Sequence, residues 1–318
     1  MLARPRAQTQ AMISRRSALA AATAFAAVSS LAATGLAQTP PRTPPAPPPP
    51  RTPPAPPPPA ADDDPALVAA IDGPQRSAAN RARDGWRHPL QSLDFWGLAP
   101  GLTVIDLDPG GGYWTEILAP YLAQGGGRYL AGLPDPADPA LSEAARKARA
   151  AFVARYPDQG VFGPIGFAAF SGRTGLVAAP GSADLILISR NVHNLMWIPG
   201  ALDKALADIY AALRPGGVLA VEEHRADPRP MVADARDGYV AEGFVIDAAQ
   251  RAGFVLAARS EINANPKDSK DHPFGVWTLP PTRRNAPEGQ PPDPAFDHAR
   301  YDAIGESDRM TLRFVKPA

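Results

Sequence analysis

The chain alternates two apolar patterns. Short uninterrupted runs such as Val104–Leu107 and Leu185–Ile188 are separated by stretches in which apolar residues recur at helical spacing. A four-residue apolar run between polar flanks fits a strand buried on both faces. Trp114, Ile117, Leu118, Tyr121 and Leu122 instead share one face of a helix, as do Leu202, Leu206, Ile209 and Leu213. Read in order, the runs predict strands at Val104–Leu107, Tyr129–Leu133, Ile165–Phe170, Leu185–Ile188, Val218–Val221, Phe254–Ala258 and Met310–Val315. Helices are predicted as an arm from Pro65 to about Leu93, after the glycines at 110–112, from a Ser142 cap to Tyr156, before Arg214, and around Val245–Ala252. Such alternation implies an α/β fold with a parallel sheet covered on both faces. The segment 263–308, rich in Pro, Asp and Asn, reads as a long loop, either a lid or a tolerated insertion.

One turn carries most of the chemistry. Gly110, Gly111 and Gly112 separate the first strand from its helix. Glycines there let backbone approach a ligand without an intervening Cβ, and the helix start offers unpaired N–H groups. In open parallel sheets this strand end is where nucleotides bind. A dinucleotide fingerprint needs a third glycine where Thr115 stands, which disfavours a nicotinamide enzyme. The acidic residue comes before the loop instead, as Asp106.

The order acidic-x-x-x-Gly-x-Gly resembles motif I of class I S-adenosylmethionine-dependent methyltransferases. Two further segments resemble the same family in the right order. Ser182–Asn194 looks like its fourth strand and strand end, and Leu213–His224, with Arg214-Pro215-Gly216-Gly217, looks like the turn into its fifth. From Arg83 to Phe314 the chain is also similar to a narrower bacterial group described only as predicted methyltransferases. The shared habits are R-D-x-x-R-H-P (Arg83, Asp84, Arg87, His88, Pro89), P-G-G-G-Y, R-N-V-H-N and D-R-x-x-L-R-F. The resemblance implies a Rossmann-like seven-stranded sheet, mostly parallel, with a C-terminal antiparallel hairpin. It implies S-adenosylmethionine as cofactor, with Asp106, Gly110 and Gly112 nearest its amino-acid end. Asp108, Gly111, Tyr113, Arg190 and Asn191 are further cofactor-binding positions on this basis. Asp135, two residues beyond the usual ribose carboxylate, could reach the ribose or serve as a turn residue. Phe170 and Ser171 lie where the family contacts adenine. One departure stands out: Asp108 occupies the place of the family's first glycine.

A methyl transfer to oxygen or nitrogen needs aligned approach and, for a poor nucleophile, a base near neutral pKa. His193 and His224 follow the fourth and fifth strands and are the catalytic candidates. Hydrogen-bonded loop roles are the alternative for both. Asn191 could be a helix cap, and Glu222 and Glu223 a solvated pair. His88, in the Arg87-His88-Pro89 entry, is expected on a lid formed by the helical arm. No histidine and carboxylate spacing indicates a metal site.

Lys+Arg and Asp+Glu are equal at 32 each, so no net basic field exists to hold a nucleic acid. A small-molecule substrate is expected. Residues 1–37 read as a cleavable signal of twin-arginine type, with Arg15 and Arg16 ahead of an alanine-rich run. Residues 38–64 read as a Pro-rich linker built on two tandem RTPPAPPPP copies, and 65–318 as the methyltransferase-like domain, with 65–100 its helical arm. The absence of cysteine is compatible with export to the periplasm through the export machinery. An exported protein that binds S-adenosylmethionine without turnover, as a sensor, is the second reading.

Overall fold

The computed structural model describes residues 64–171, 173, 178–228 and 234–318. The expected leader lies outside the described residues, as does the linker except Asp64. Asp64 caps the first helix, its carboxylate accepting from the backbone N–H of Ala66 and Leu67.

Four helices form the N-terminal arm: α1 (Pro65–Asp72), α2 (Ala78–Arg81), α3 (Asp84–Arg87) and α4 (Pro89–Trp96). The sheet follows, as β1 (Thr103–Leu107), α5 (Thr115–Gln124), β2 (Arg128–Pro134), α6 (Glu143–Arg155), α7 (Gln159–Phe162), β3 (Gly166–Phe170), β4 (Ala183–Ser189), α8 (Val192–Met196), α9 (Ala201–Ala212), β5 (Leu213–His224), α10 (Glu242–Arg251), β6 (Val255–Ser260), α11 (Ala299–Ile304) and β7 (Arg309–Val315). The seven strands run β3-β2-β1-β4-β5-β7-β6. β1 to β5 pair in parallel, and β7 lies antiparallel between β5 and β6. This is the Rossmann-like, mostly parallel sheet with a C-terminal antiparallel pair that the sequence predicts. Strand order reverses between β1 and β4, so a crevice opens at their carboxyl ends.

Alternate residues of each strand feed opposite faces. Ile105, Ile186, Leu219 and Phe314 pack under α9 and α10, while Val104, Leu185, Leu187 and Ala220 pack under α4 and α5. Two departures from the predicted elements have clear causes. α5 is buried all round from Thr115 to Leu122, not on one face, because the arm covers its outer side. The Pro215-Gly216-Gly217 turn does not precede β5 but is a bulge within it. Pairing with β4 slips between Ala183 and Leu185, and Gly216 takes a φ of 74°.

The 263–308 segment is tied to the sheet. Asn263 Nδ2 donates to Ser92 Oγ and Thr311 Oγ1 (both 3.0 Å), and Asn265 Nδ2 to the Ile304 and Glu306 carbonyls. Asp268 accepts from Tyr239 Oη, from His272 Nε2 (2.7 Å) and from the Asp308 N–H. Among the described residues no helix is long and apolar enough to cross a membrane.

Trp96 joins the arm to this core. It has no exposed surface, meets Trp114 edge to face at 5.6 Å, and donates Nε1–H to the Leu312 carbonyl. Trp96→Ala should lower unfolding stability by about 3–5 kcal/mol in a urea titration. A loss under about 1 kcal/mol would mean that the arm does not unfold with the sheet.

Candidate functional site

The crevice holds a cavity of about 300 Å³ between the glycine turn, the ends of β4 and β5, and the 275–282 and 306–307 stretches. That volume suits a small molecule. The 263–308 segment is therefore a wall of the site, through Trp277, Pro280 and Glu306 among others.

On the glycine side, Asp108 adopts a φ of 50°, the left-handed conformation that short polar side chains tolerate best after glycine. The turn is thus made without the expected glycine, and the Cβ does not crowd it. Asp108 faces the cavity and accepts from Asn191 Nδ2 at 3.2 Å. Surrounding protein raises its carboxyl above the usual value, with the Arg190 cation pulling the other way. Gly110 and Gly111 line the cavity, and a Cβ on Gly111 would meet nothing within 4 Å. Gly112, with a φ of 81°, is different, since a Cβ there would fall 1.7 Å from Tyr156 Oη. Arg155 ties down the same loop through the Gly111 carbonyl (2.7 Å). Asp106 sits behind the loop, with Tyr129 Oη donating to it at 3.1 Å. Burial pushes its carboxyl up to about 7 against that hydrogen bond, and Asp108 adds to the rise.

Opposite lie the histidines. His193 Nδ1 contacts Glu223 Oε1 at 2.9 Å, and the His193 and His224 backbone N–H groups both donate to Glu223. A carboxylate oxygen accepts, so Nδ1 donates to Glu223, and in the neutral imidazole that tautomer leaves the lone pair on Nε2. His224 Nδ1 contacts Ser307 Oγ, and the two rings are 5.4 Å apart. Burial, helped by three nearby arginines, holds His224 well below its usual pKa, so it is neutral. Both histidines line the cavity. The fold brings together a histidine–carboxylate trio that the sequence spacing does not show, with ligand atoms of His193, Glu223 and His224 all within 4.8 Å of one another. The carboxylate is already committed to three N–H donors, and cationic arginines stand close by, an arrangement better suited to orienting a base than to holding a dication.

Beneath the histidines the family-like motifs meet in one buried ion cluster. Glu306 takes Arg83 Nε at 2.5 Å, Arg309 Nη1 at 2.8 Å and Arg87 Nε at 3.2 Å. Glu222 takes Ser189 Oγ at 2.5 Å, and lies 3.1 Å from Arg309 Nη1 as an ion pair off hydrogen-bond alignment. Its backbone carbonyl accepts from Arg190 N–H. Burial would raise both glutamates, but the arginines outweigh it, and both are held below the usual range. Glu222 and Glu223 have no exposed surface, so the expected solvated pair is instead two buried anchors.

The remaining sequence candidates divide. Asn191 occupies the cap position of α8 without a side-chain capping bond; it bridges Asp108 and Asn194 instead. Arg190 lines the cavity. Tyr113 turns inward beneath the loop, donating to Asp84 at 2.6 Å with the Arg87 guanidinium 4.4 Å from its ring. His88 is not among the residues lining the cavity, and its ring contacts Asn263. Asp135 is buried and caps the Ala137 N–H, so it is no solvated turn residue. Phe170 packs in the core, and Ser171 donates to the buried Asp138. These last three sit at the β2 and β3 ends, away from the histidine cavity. Sequence reasoning missed Glu306 and Ser307, which belong to no strand or motif and precede β7.

No family model matches the chain. A 151-residue stretch is 30% identical to the ubiquinone/menaquinone biosynthesis C-methyltransferase UbiE of Hydrogenovibrio crunogenus, covering 46% of this chain and 52% of that protein. The chain thus spans about half the length of the curated relative it matches. Among solved structures it is similar to the (4+2)-cyclase SpnF, at 15% identity and a TM-score of 0.48 over 79% of this chain and 92% of that one. A SAM-dependent methyltransferase from Aquifex aeolicus is similar at 18% identity and a TM-score of 0.43, over 63% and 94%.

Glu306 offers a pH test. Its carboxyl is held below the ordinary 4.5, so its stabilisation is complete at neutral pH and is lost as pH falls below about 4.5. Glu306→Gln should cost about 3–5 kcal/mol at pH 7 by stranding buried arginines. The gap from wild type should narrow toward pH 3 in chemical unfolding, and a pH-independent gap would refute the ionised assignment.

Proposed function

We propose that the protein is an S-adenosylmethionine-dependent methyltransferase acting on a small molecule. The observation that carries the reading is the open glycine turn of Gly110 and Gly111 facing, across one cavity, a histidine whose Nε2 is left free by Glu223. The likeness to a C-methyltransferase over 151 residues supports it. The residues fit the cofactor, because the Gly111 face is open where a side chain would intrude, and the Asp108 carboxylate suits a cationic ligand. Gly110, Gly111 and Asp108 would hold its amino-acid end, with Asp135, Phe170 and Ser171 toward the nucleoside side.

When bound, the cofactor supplies an electrophilic methyl group on a sulfonium sulfur. Its transfer to the acceptor's lone pair would leave the carbon–sulfur electron pair on sulfur, with S-adenosylhomocysteine as the other product. His193 Nε2 takes the acceptor's proton, and Glu223 stabilises the imidazolium through Nδ1–H. Neutral His224, fixed by Ser307, orients the acceptor. The Trp277 and Pro280 wall keeps water from competing.

Saturating S-adenosylhomocysteine, at ~100 times its dissociation constant, should stabilise the protein by about 2.7 kcal/mol. Gly112→Ala should abolish that shift, because the new Cβ collides with Tyr156 and displaces the loop. His193→Gln should keep it while lowering methyl transfer by roughly 10²–10⁴. Absence of any shift with either S-adenosylmethionine or its product would end the cofactor assignment.

We also propose export by the twin-arginine route, on the strength of Arg15-Arg16 before the alanine-rich run. Lysine at both positions should retain the precursor in the cytoplasm. Identical cytoplasmic fractions for wild type and variant, with the leader retained, would overturn this.

A further inference from the structure

The site brings together more buried cations than its own carboxylates satisfy. Arg83, Arg87, Arg190 and Arg309 surround two glutamates, Glu222 and Glu306. Asp108, the other carboxylate set against Arg190, is shared with Asn191. Arg83 Nη2, both Nη atoms of Arg87, Arg190 Nε and Arg309 Nε remain buried with no hydrogen-bond partner among the described residues. The mutual repulsion shows in Arg87, which burial, with Arg190 and Arg309 beside it, pushes down to about 10. Two of the four have interior roles, Arg87 at the Tyr113 ring and Arg309 on the Trp86 carbonyl. Arg83 and Arg190 are different. They line the cavity itself, in the same wall as His193 and His224.

Arg83 Nη2 and Arg190 Nε are themselves sealed inside, but the Arg190 Nη groups are not, and no side-chain hydrogen bond or ion pair among the described residues holds them. A guanidinium at a cavity wall is completed by an oxyanion from outside, and its planar fork matches carboxylate and phosphate oxygens. Val276 and Trp277 line the same cavity and offer an apolar surface for the rest of such a ligand. Resting on the methyltransferase reading, we propose that the methyl acceptor is a small acid. Its carboxylate or phosphate group is held by Arg83 and Arg190, and its nucleophilic atom is presented to His193. The overall charge balance of the chain does not oppose this, because the cations are gathered at one point.

The test is calorimetric titration of the full-length protein, saturated with S-adenosylhomocysteine, with benzoate, phenyl phosphate and neutral benzamide. At least one of the two anions should bind about tenfold or more tightly than benzamide, a comparison that needs no variant. Arg190→Gln and Arg83→Gln should erase that preference, and Arg190→Lys should keep part of it, with near-ultraviolet circular dichroism confirming the native fold of each. Equal binding of anions and amide overturns the proposal. It is also overturned if both Gln variants weaken S-adenosylhomocysteine about tenfold while leaving 5′-methylthioadenosine, which lacks the amino-acid end, unchanged. The arginines would then serve the cofactor's own carboxylate. Failure of wild type to bind S-adenosylhomocysteine at all removes the cofactor reading instead. The same anion-to-amide ratio, measured on the free protein, then decides this inference.

Discussion

The pairing of Glu306 with Arg83, Arg87 and Arg309 is the constraint on which the rest of the site depends. Removing these charges from water costs several kcal/mol per ion, and they persist only because each has an opposite charge within reach. That requirement fixes where the helical arm docks, since Arg83 precedes α3 and Arg87 ends it. It also fixes the start of β7, which carries Arg309, against the end of β5, which carries Glu222. A shift of one element would strand a cation in the interior. The cluster therefore works as a register mark between distant parts of the chain.

Above it, the reversal of strand order between β1 and β4 opens the crevice, and side chains from β4 and β5 furnish it. Glu223 is the positioning residue there. By accepting from both histidine backbones and from the His193 ring, it sets the spacing and tautomer that a proton acceptor needs. Asp108 and Asn191 join the glycine turn to the β4 end, so the two walls of the cavity are held to each other. The 263–308 segment closes a third side, and its hydrogen bonds to Ser92 and Thr311 make that wall part of the fold.

Much of this could be read from local pattern. The runs at Val104–Leu107 and Leu185–Ile188 became the central strands β1 and β4, and the Gly110–Gly112 turn lies where a strand-to-helix turn should. His193 and His224 meet because both follow parallel strands, which topology alone places side by side. What could not be read was pairing across long separations. Glu222 and Glu223 look solvated in sequence, because two acids at a strand end usually are. Their burial comes with β7, which pairs Glu222 with Thr311 and Glu223 with Met310 and brings in Arg309, an approach no local periodicity encodes. Likewise α5 looked one-sided because the helix that covers it lies some forty residues earlier. Equal totals of acidic and basic residues also concealed a local excess of arginine.

The position of β7 also bears on how the chain can be made. Among the described residues β6 pairs only with β7, and β7 enters between β5 and β6. During synthesis from the ribosome, β5 and β6 therefore wait with open edges until β7 emerges, while Arg83 and Arg87 wait for Glu306. Open edges and uncompensated interior charges are both features that chaperones engage and that promote misassembly. The parallel half of the sheet can condense early, but the cavity cannot exist until the segment carrying Glu306, Ser307 and Arg309 has left the tunnel. The complete cavity therefore forms only once the stretch from Glu306 to Arg309 has joined the sheet.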